Sequence, residues 1–159
     1  MTSIILKAIL LSMLPIAELR GGIPYAIANE LNPFLAYFIC VGSNILAFPI
    51  VFLFLECLHP FFLKISFYQK LFDKFVIRTR KKLDKKIKNY GFWGLMLFVM
   101  IPLPVTGAYT GSFAAWLFHI PKKKAFISVV LGVIMSGIIV TTIWLFGSEV
   151  VKSIFIKEL

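Results

Sequence analysis

The chain has 159 residues, 60% of them hydrophobic, with 17 phenylalanines, a mean hydropathy of +0.92 and a formal net charge of +10. That balance is too apolar for an ordinary soluble domain and excludes a disordered or disulfide-framed chain, so an integral membrane protein is expected. Cys40 and Cys57 are the only cysteines, and neither they nor His59 and His119 fall at metal-ligand spacing, so no metal site and no cofactor are expected.

In chain order, residues 1–32 come first. Ile4 to Met13 and Pro24 to Leu31 are each half a bilayer long, and "LPIAELRGGIPYAIA" lies across the break between them. This predicts a re-entrant helical hairpin with Glu18 and Arg20 at its tip. Ala26-Ile27-Ala28 has the small-x-small form of a signal-peptide cleavage site, but Glu18 and Arg20 interrupt the path to it, so cleavage is not expected. Gly21 and Gly22 permit an extended turn in which Glu18 and Arg20 share a side, and a second half-helix starts near Ile23-Pro24. Its amides and the guanidinium would form an anion site, and a Glu18 carboxyl withdrawn from water would be a proton carrier. The bland alternative is a buried Glu18–Arg20 pair that locks the hairpin.

Residues 33–56 form the first full span, without a charge from Pro33 to Leu55. Asn44 is its most polar residue and reads as interhelical glue. Ser43/Ala47 here and Gly132/Ser136 later are small-xxx-small pairs that suit close contacts within one subunit or between two copies, which makes a homodimer a candidate assembly.

From Pro60 to Tyr90, ten Lys or Arg stand against Asp73 and Asp84. The apolar residues Phe61, Ile65, Tyr68, Phe72, Val76, Leu83, Ile87 and Tyr90 recur at helical spacing. A basic amphipathic helix on the cytoplasmic leaflet follows, with Lys81, Lys82, Lys85 and Lys86 facing anionic lipid headgroups. No nucleic-acid motif accompanies the charge, so no nucleic-acid partner is expected.

Residues 91–120 carry no charge from Gly91 to Phe118. As one helix they would place Lys122, Lys123 and Lys124 outside, against the positive-inside pattern. Pro102, Pro104, Gly107 and Gly111 disfavour such a helix. A second re-entrant hairpin resolves both conflicts, with half-helices at about 91–101 and 107–118 and a turn from Pro102 to Thr106. Thr106, Tyr109 and Thr110 bring hydroxyls to its tip, either to cap helix ends or to bind a ligand.

Residues 125–148 are the second span, and 149–159 a short tail. Residues 60–90 and 122–124 are then cytoplasmic and both termini outside, in a multi-pass protein of the cell membrane. The fold expected is all-α, two inverted repeats of hairpin plus span in one membrane domain. Met13 and Pro15 align with Met100 and Pro102 at an offset of 87, and Pro33 with Pro121 at 88. Inverted repeats with broken helices at the midplane are a plan of secondary transporters. No nucleophile–base set or phosphate loop is present, so an enzyme is not expected. The competing class is a non-transporting scaffold or lipid-organising protein.

"ELRGGIP" at Glu18–Pro24 and "PLPVTGAYTG" at Pro102–Gly111 resemble the two signatures of the putative small multidrug export protein family, itself similar to the DedA superfamily. The chain departs from the second signature at Val105 and Tyr109, where the family tends to have Gly and Trp. The resemblance implies drug export. Its DedA side implies paired hairpins and proton-linked transport of lipid phosphates such as polyprenyl phosphate. It would make Glu18 the proton-responsive carboxylate and Arg20 the phosphate binder. Gly21, Gly22, Pro24, Pro102, Pro104, Thr106, Gly107, Tyr109, Thr110 and Gly111 complete the expected substrate site.

Overall fold

The computed structural model describes residues 1–58, 74, 77, 91–103 and 106–147, and every regular element among them is helical. The expected basic helix at 60–90, Pro104 and the tail lie outside the described residues, apart from Lys74 and Ile77, which are helical.

Helix α1 runs Thr2–Met13 and α2 runs Glu18–Ala28. Pro15 explains the end of α1: the residue before a proline is pushed out of the α region, and Leu14 is extended at φ −76°, ψ 134°. The two helices fold back on each other. A side chain on Gly22 would run into Ser12 and the Ala8 carbonyl, so the bare glycine lets the backbones touch. This corrects one expectation. The turn is Leu14 to Ala17, and Gly21 and Gly22 lie within α2, where Gly22 serves packing and not bending. Pro24 is also inside α2, and it cannot donate to the Arg20 carbonyl four residues back.

Asn32 opens the first span. Its side chain accepts from the amides of Phe34 (2.9 Å) and Leu35 (3.4 Å), with Pro33 at the first helical position. Helix α3 runs Pro33–Ile45 and α4 runs Ala47–Leu53, followed by a π turn at Phe54–Leu58. The interruption at Leu46 has a cause in Pro49, whose ring crowds the Ile45 carbonyl and which cannot donate to it. Together they make a 25-residue apolar helix, Pro33–Cys57.

Helix α5 is Gly91–Met100, α6 is Ala108–Leu117 and α7 is Lys122–Phe146, the last another 25-residue apolar helix. At 1.5 Å per residue each long helix reaches about 37 Å, enough for a hydrocarbon core of about 30 Å. The others reach about half of that. α5 and α6 also form a hairpin: a side chain on Gly111 would meet Val99 and Leu95. The α7 helix crosses both hairpin and span closely, at Gly132 against Val99 and Met96, and at Gly137 against Val41 and Tyr37. Polar ties reinforce this, Ser128 Oγ donating to the Phe92 carbonyl (3.0 Å) and Tyr37 Oη to that of Ile134 (3.2 Å).

The two spans are antiparallel. Phe48 stacks edge-on against Phe126, and Lys122 Nζ meets the Glu56 carboxylate at 2.7 Å and 2.8 Å. The end of the first span and the start of the second therefore share one side. The core is built of small and β-branched residues, among them Ala8, Ile23, Ala36, Val99, Ala114, Val129 and Val133. Leucines and phenylalanines crowd the exposed faces, such as Leu10, Phe34, Phe38, Leu53, Leu131 and Phe146. That inversion suits a helix bundle whose outer solvent is lipid and whose helices must approach closely.

Candidate functional site

The hairpin tips meet. Glu18, the first residue of α2, is 6% exposed and lies at φ 46°, in the left-handed region. That conformation costs a non-glycine residue roughly 1–2 kcal/mol. It aims the carboxylate out of its own hairpin and at the start of α6. Oε2 accepts from the Ala108 amide and Oε1 from the Tyr109 amide, each at 3.3 Å. The first amides of a helix have no partner within it and carry its positive dipole end, so an anion there is stabilised by roughly 0.3–2 kcal/mol. α6 has no local side-chain cap. Its cap comes from a residue 90 positions earlier.

Gly107 makes room for this. It sits at φ 149°, ψ −166°, a region open essentially to glycine, and a Cβ there would fall inside the Glu18 carboxylate. Here the glycine is needed both for its backbone angles and for what it leaves empty.

The exchange is mutual. Tyr109 Oη donates to the Met13 carbonyl, one of the last carbonyls of α1. Asn44 Nδ2, from the first span, donates to the neighbouring Ser12 carbonyl at 2.8 Å. Hairpin 1 thus caps the start of a helix in hairpin 2, and hairpin 2 caps the end of a helix in hairpin 1. Broken helices are tolerated inside an apolar medium only when their loose backbone groups are met in this way.

Arg20 is half-buried on α2, and its guanidinium acts electrostatically on the Glu18 carboxylate. The expectation of an extended turn at these residues is corrected: Glu18 is the first residue of α2 and Arg20 lies within that helix. The helix N-terminus at the site is also not the one expected near Ile23-Pro24. It belongs to α6.

The other expected residues divide by position. Gly107 and Tyr109 are at the junction. Gly21 and Pro24 are buried within α2, and Gly22 and Gly111 are where the helices of each hairpin touch. Pro102 ends α5. The Thr106 hydroxyl is used within its own turn, accepting from the Leu103 amide (3.0 Å) and lying 2.6 Å from the Ile101 carbonyl, which is its helix-capping reading. Thr110 is half-buried in the first turn of α6. Sequence reasoning missed Ala108, Ser12 and Met13. The first and last act through backbone atoms, which have no residue signature. The usable signal was the missing cap at Gly107-Ala108, a helix start with no Ser, Thr, Asp or Asn before it at the right place.

No curated protein and no solved structure matches the chain. Residues 18–139, from the capping glutamate through both hairpins' contacts to the middle of the second span, match the family described as putative small multi-drug export protein. With two antiparallel apolar spans and a helical hairpin packed on each, the chain is a membrane protein that belongs to that family.

Proposed function

We propose that the protein is a proton-linked secondary transporter of amphipathic anions, and that the junction of the two tips is its substrate site. One observation carries this reading: the buried Glu18 carboxylate occupies the amide-lined start of α6. A phosphate or carboxylate headgroup offers the same oxyanion, so Glu18 is an internal stand-in for the cargo. Ionised, it fills the site. Protonated, it loses its charge and one acceptor oxygen, and its hold on the two amides weakens. The α6 amides can then take an anion, beside the Arg20 charge. Among the described residues, Arg20 from α2 and Tyr109 from α6 are the charged or titratable groups acting on Glu18. A proton and an anion bind together in this scheme, so they travel in the same direction.

In the same reading α1–α2 and α5–α6 are re-entrant hairpins inserted from opposite faces, and each forms with its span one unit of an inverted repeat. Their half-bilayer lengths and the shared side of Glu56 and Lys122 support it. Residues 60–90 and 122–124 face the cytoplasm, with Lys81, Lys82, Lys85 and Lys86 on anionic headgroups, and the termini lie outside. This is transport chemistry and not catalysis.

The test is flux in proteoliposomes of polyprenyl phosphate and of an amphipathic carboxylate, with and without a pH gradient. Wild type should move at least one of them faster when the gradient drives protons the same way. Glu18→Gln should lose that acceleration. Arg20→Lys should transport at least about tenfold more slowly, because the guanidinium fork is lost although the charge stays. If wild type moves neither probe, or Glu18→Gln keeps the full gradient response, the junction is a structural lock and not a transport site.

A further inference from the structure

The two halves of the chain carry matching contacts in a fixed register. Both hairpins end alike. The Leu31 amide donates to the Ala26 carbonyl and the Ile120 amide to that of Ala115, with Glu30 and His119 at φ 62° and 55°. The matched residues are 89 positions apart, as are the 25-residue helices Pro33–Cys57 and Lys122–Phe146. The contacts inside each hairpin follow too: Gly22 lies against Ala8 and Ser12, and Gly111 against Leu95 and Val99. Here the glycines are 89 apart and their partners 87, so the second turn is two residues longer. A contact between the halves also recurs with its ends exchanged, Tyr37 lying against Gly137 and Phe48 packing on Phe126. Exchanged contacts of this kind are what a two-fold relation produces.

At the junction this register matches Met13 with Met100, Ser12 with Val99, Tyr109 with Arg20 and Asn44 with Val133. In hairpin 1 the last α1 carbonyls take two donors, Asn44 Nδ2 on Ser12 and Tyr109 Oη on Met13. The end of α5 has the same need and fewer means. Val133 has no side-chain donor, and Pro104 has no N–H for the Met100 carbonyl four residues back. The Leu103 amide goes to the Ile101 carbonyl and the Thr106 amide to that of Leu103. A backbone carbonyl in an apolar medium needs a donor. Arg20 is placed to supply it. It is half-buried and its charge acts on Glu18, whose carboxylate lies against Gly107. The neighbouring Thr106 hydroxyl is 2.6 Å from the Ile101 carbonyl, at the end of α5. A tyrosine has a single O–H, whereas a guanidinium has several N–H groups in a fork and can meet two carbonyls at once. Its fixed positive charge also suits the negative end of the α5 dipole.

We propose that Arg20 is a positioning residue of the junction, its guanidinium donating to the Val99 and Met100 carbonyls and fixing the end of α5 against α2. It does for hairpin 2 what Tyr109 and Asn44 do for hairpin 1. The start of α6 is thereby held where Glu18 reaches its amides. The proposal rests on the inverted-repeat reading and not on transport.

Solid-state NMR of the full chain in lipid bilayers tests this, with nitrogen-15 in the arginine side chains and carbon-13 in the valine and methionine carbonyls. Wild type should show a dipolar coupling between a guanidinium nitrogen and the Met100 carbonyl carbon, at about 4 Å. Arg20→Lys should lose it. Arg20→Met should lower the denaturation midpoint, and adding Val133→Asn, which supplies an amide where hairpin 1 has Asn44, should recover part of that loss. In wild type Val133→Asn should lower the midpoint, because Arg20 already holds the carbonyl. An absent coupling in wild type would overturn the proposal, as would equal losses from Val133→Asn in both backgrounds. The coupling decides alone if Val133→Asn does not fold. Glu30→Cys and His119→Cys, both at exposed positions, are labelled from the two sides of the membrane in a chain lacking Cys40 and Cys57. Opposite-side labelling supports the repeat, so an absent coupling then overturns the Arg20 cap alone. Same-side labelling overturns the repeat and the proposal with it.

Discussion

Gly107→Ala should destabilise the protein by about 2–6 kcal/mol, the sum of a backbone strain of about 1–3 kcal/mol and overpacking of similar size. The residue stands at φ 149°, and the added methyl would fall on the Glu18 carboxylate. Either the carboxylate leaves the amides of Ala108 and Tyr109 or the turn between α5 and α6 rebuilds. Both outcomes separate the tips. Gly42→Ala is the matching control. Gly42 is exposed on α3 and a methyl group there meets nothing within 4 Å. Alanine should leave that position neutral or raise stability by up to about 1 kcal/mol, through helix propensity alone. Denaturant unfolding in the same micelles measures both. A loss at Gly107 no larger than the change at Gly42 would mean that the two tips are not packed as described.

The second large effect is a coupling. Tyr109→Phe removes the donor that meets the Met13 carbonyl, and Glu18→Gln removes the charge that meets the α6 amides. Each should cost on the order of 1–3 kcal/mol. The two bonds close the same junction from opposite directions, and Tyr109 takes part in both through its hydroxyl and its amide. Once one bond is broken the tips can part, and the other has less left to lose. The double variant should therefore be less destabilised than the sum, by at least about 0.5 kcal/mol. Additive losses would show that the caps act independently and that the tips are held by apolar packing alone.

Much of the architecture was legible because membranes punish irregular backbone. Half-length apolar stretches bounded by Pro15 and Pro102 mark helix ends that must be buried together. Glu18 was legible for the same reason, as a carboxylate where carboxylates are expensive. Its partner was not. Backbone amides at Ala108 and Tyr109 leave no mark in the sequence, and the eye pairs Glu18 with Arg20, the charge two residues away. Gly21-Gly22 misled in a different way. A glycine pair is read as a bend, but here Pro15 already makes the bend and Gly22 is used for contact with Ser12. Pro49 lies inside an uninterrupted apolar run, and its missing amide is what breaks the first span at Leu46. Asn44 read correctly as a tie between helices, but its second, unpaired atom is visible only once its first is placed.

The Glu18 carboxylate caps α6 across the two tips, and in the proposed scheme protonation releases that cap. Amide NMR of Ala108 and Tyr109 in lipid nanodiscs, followed against pH, tests it most directly. In wild type both amide proton shifts should titrate together, downfield and protected from exchange at high pH, upfield and exchanging faster at low pH. In Glu18→Gln both should sit near the low-pH position at every pH. Amides that ignore pH in wild type, or that titrate equally in Glu18→Gln, would contradict it.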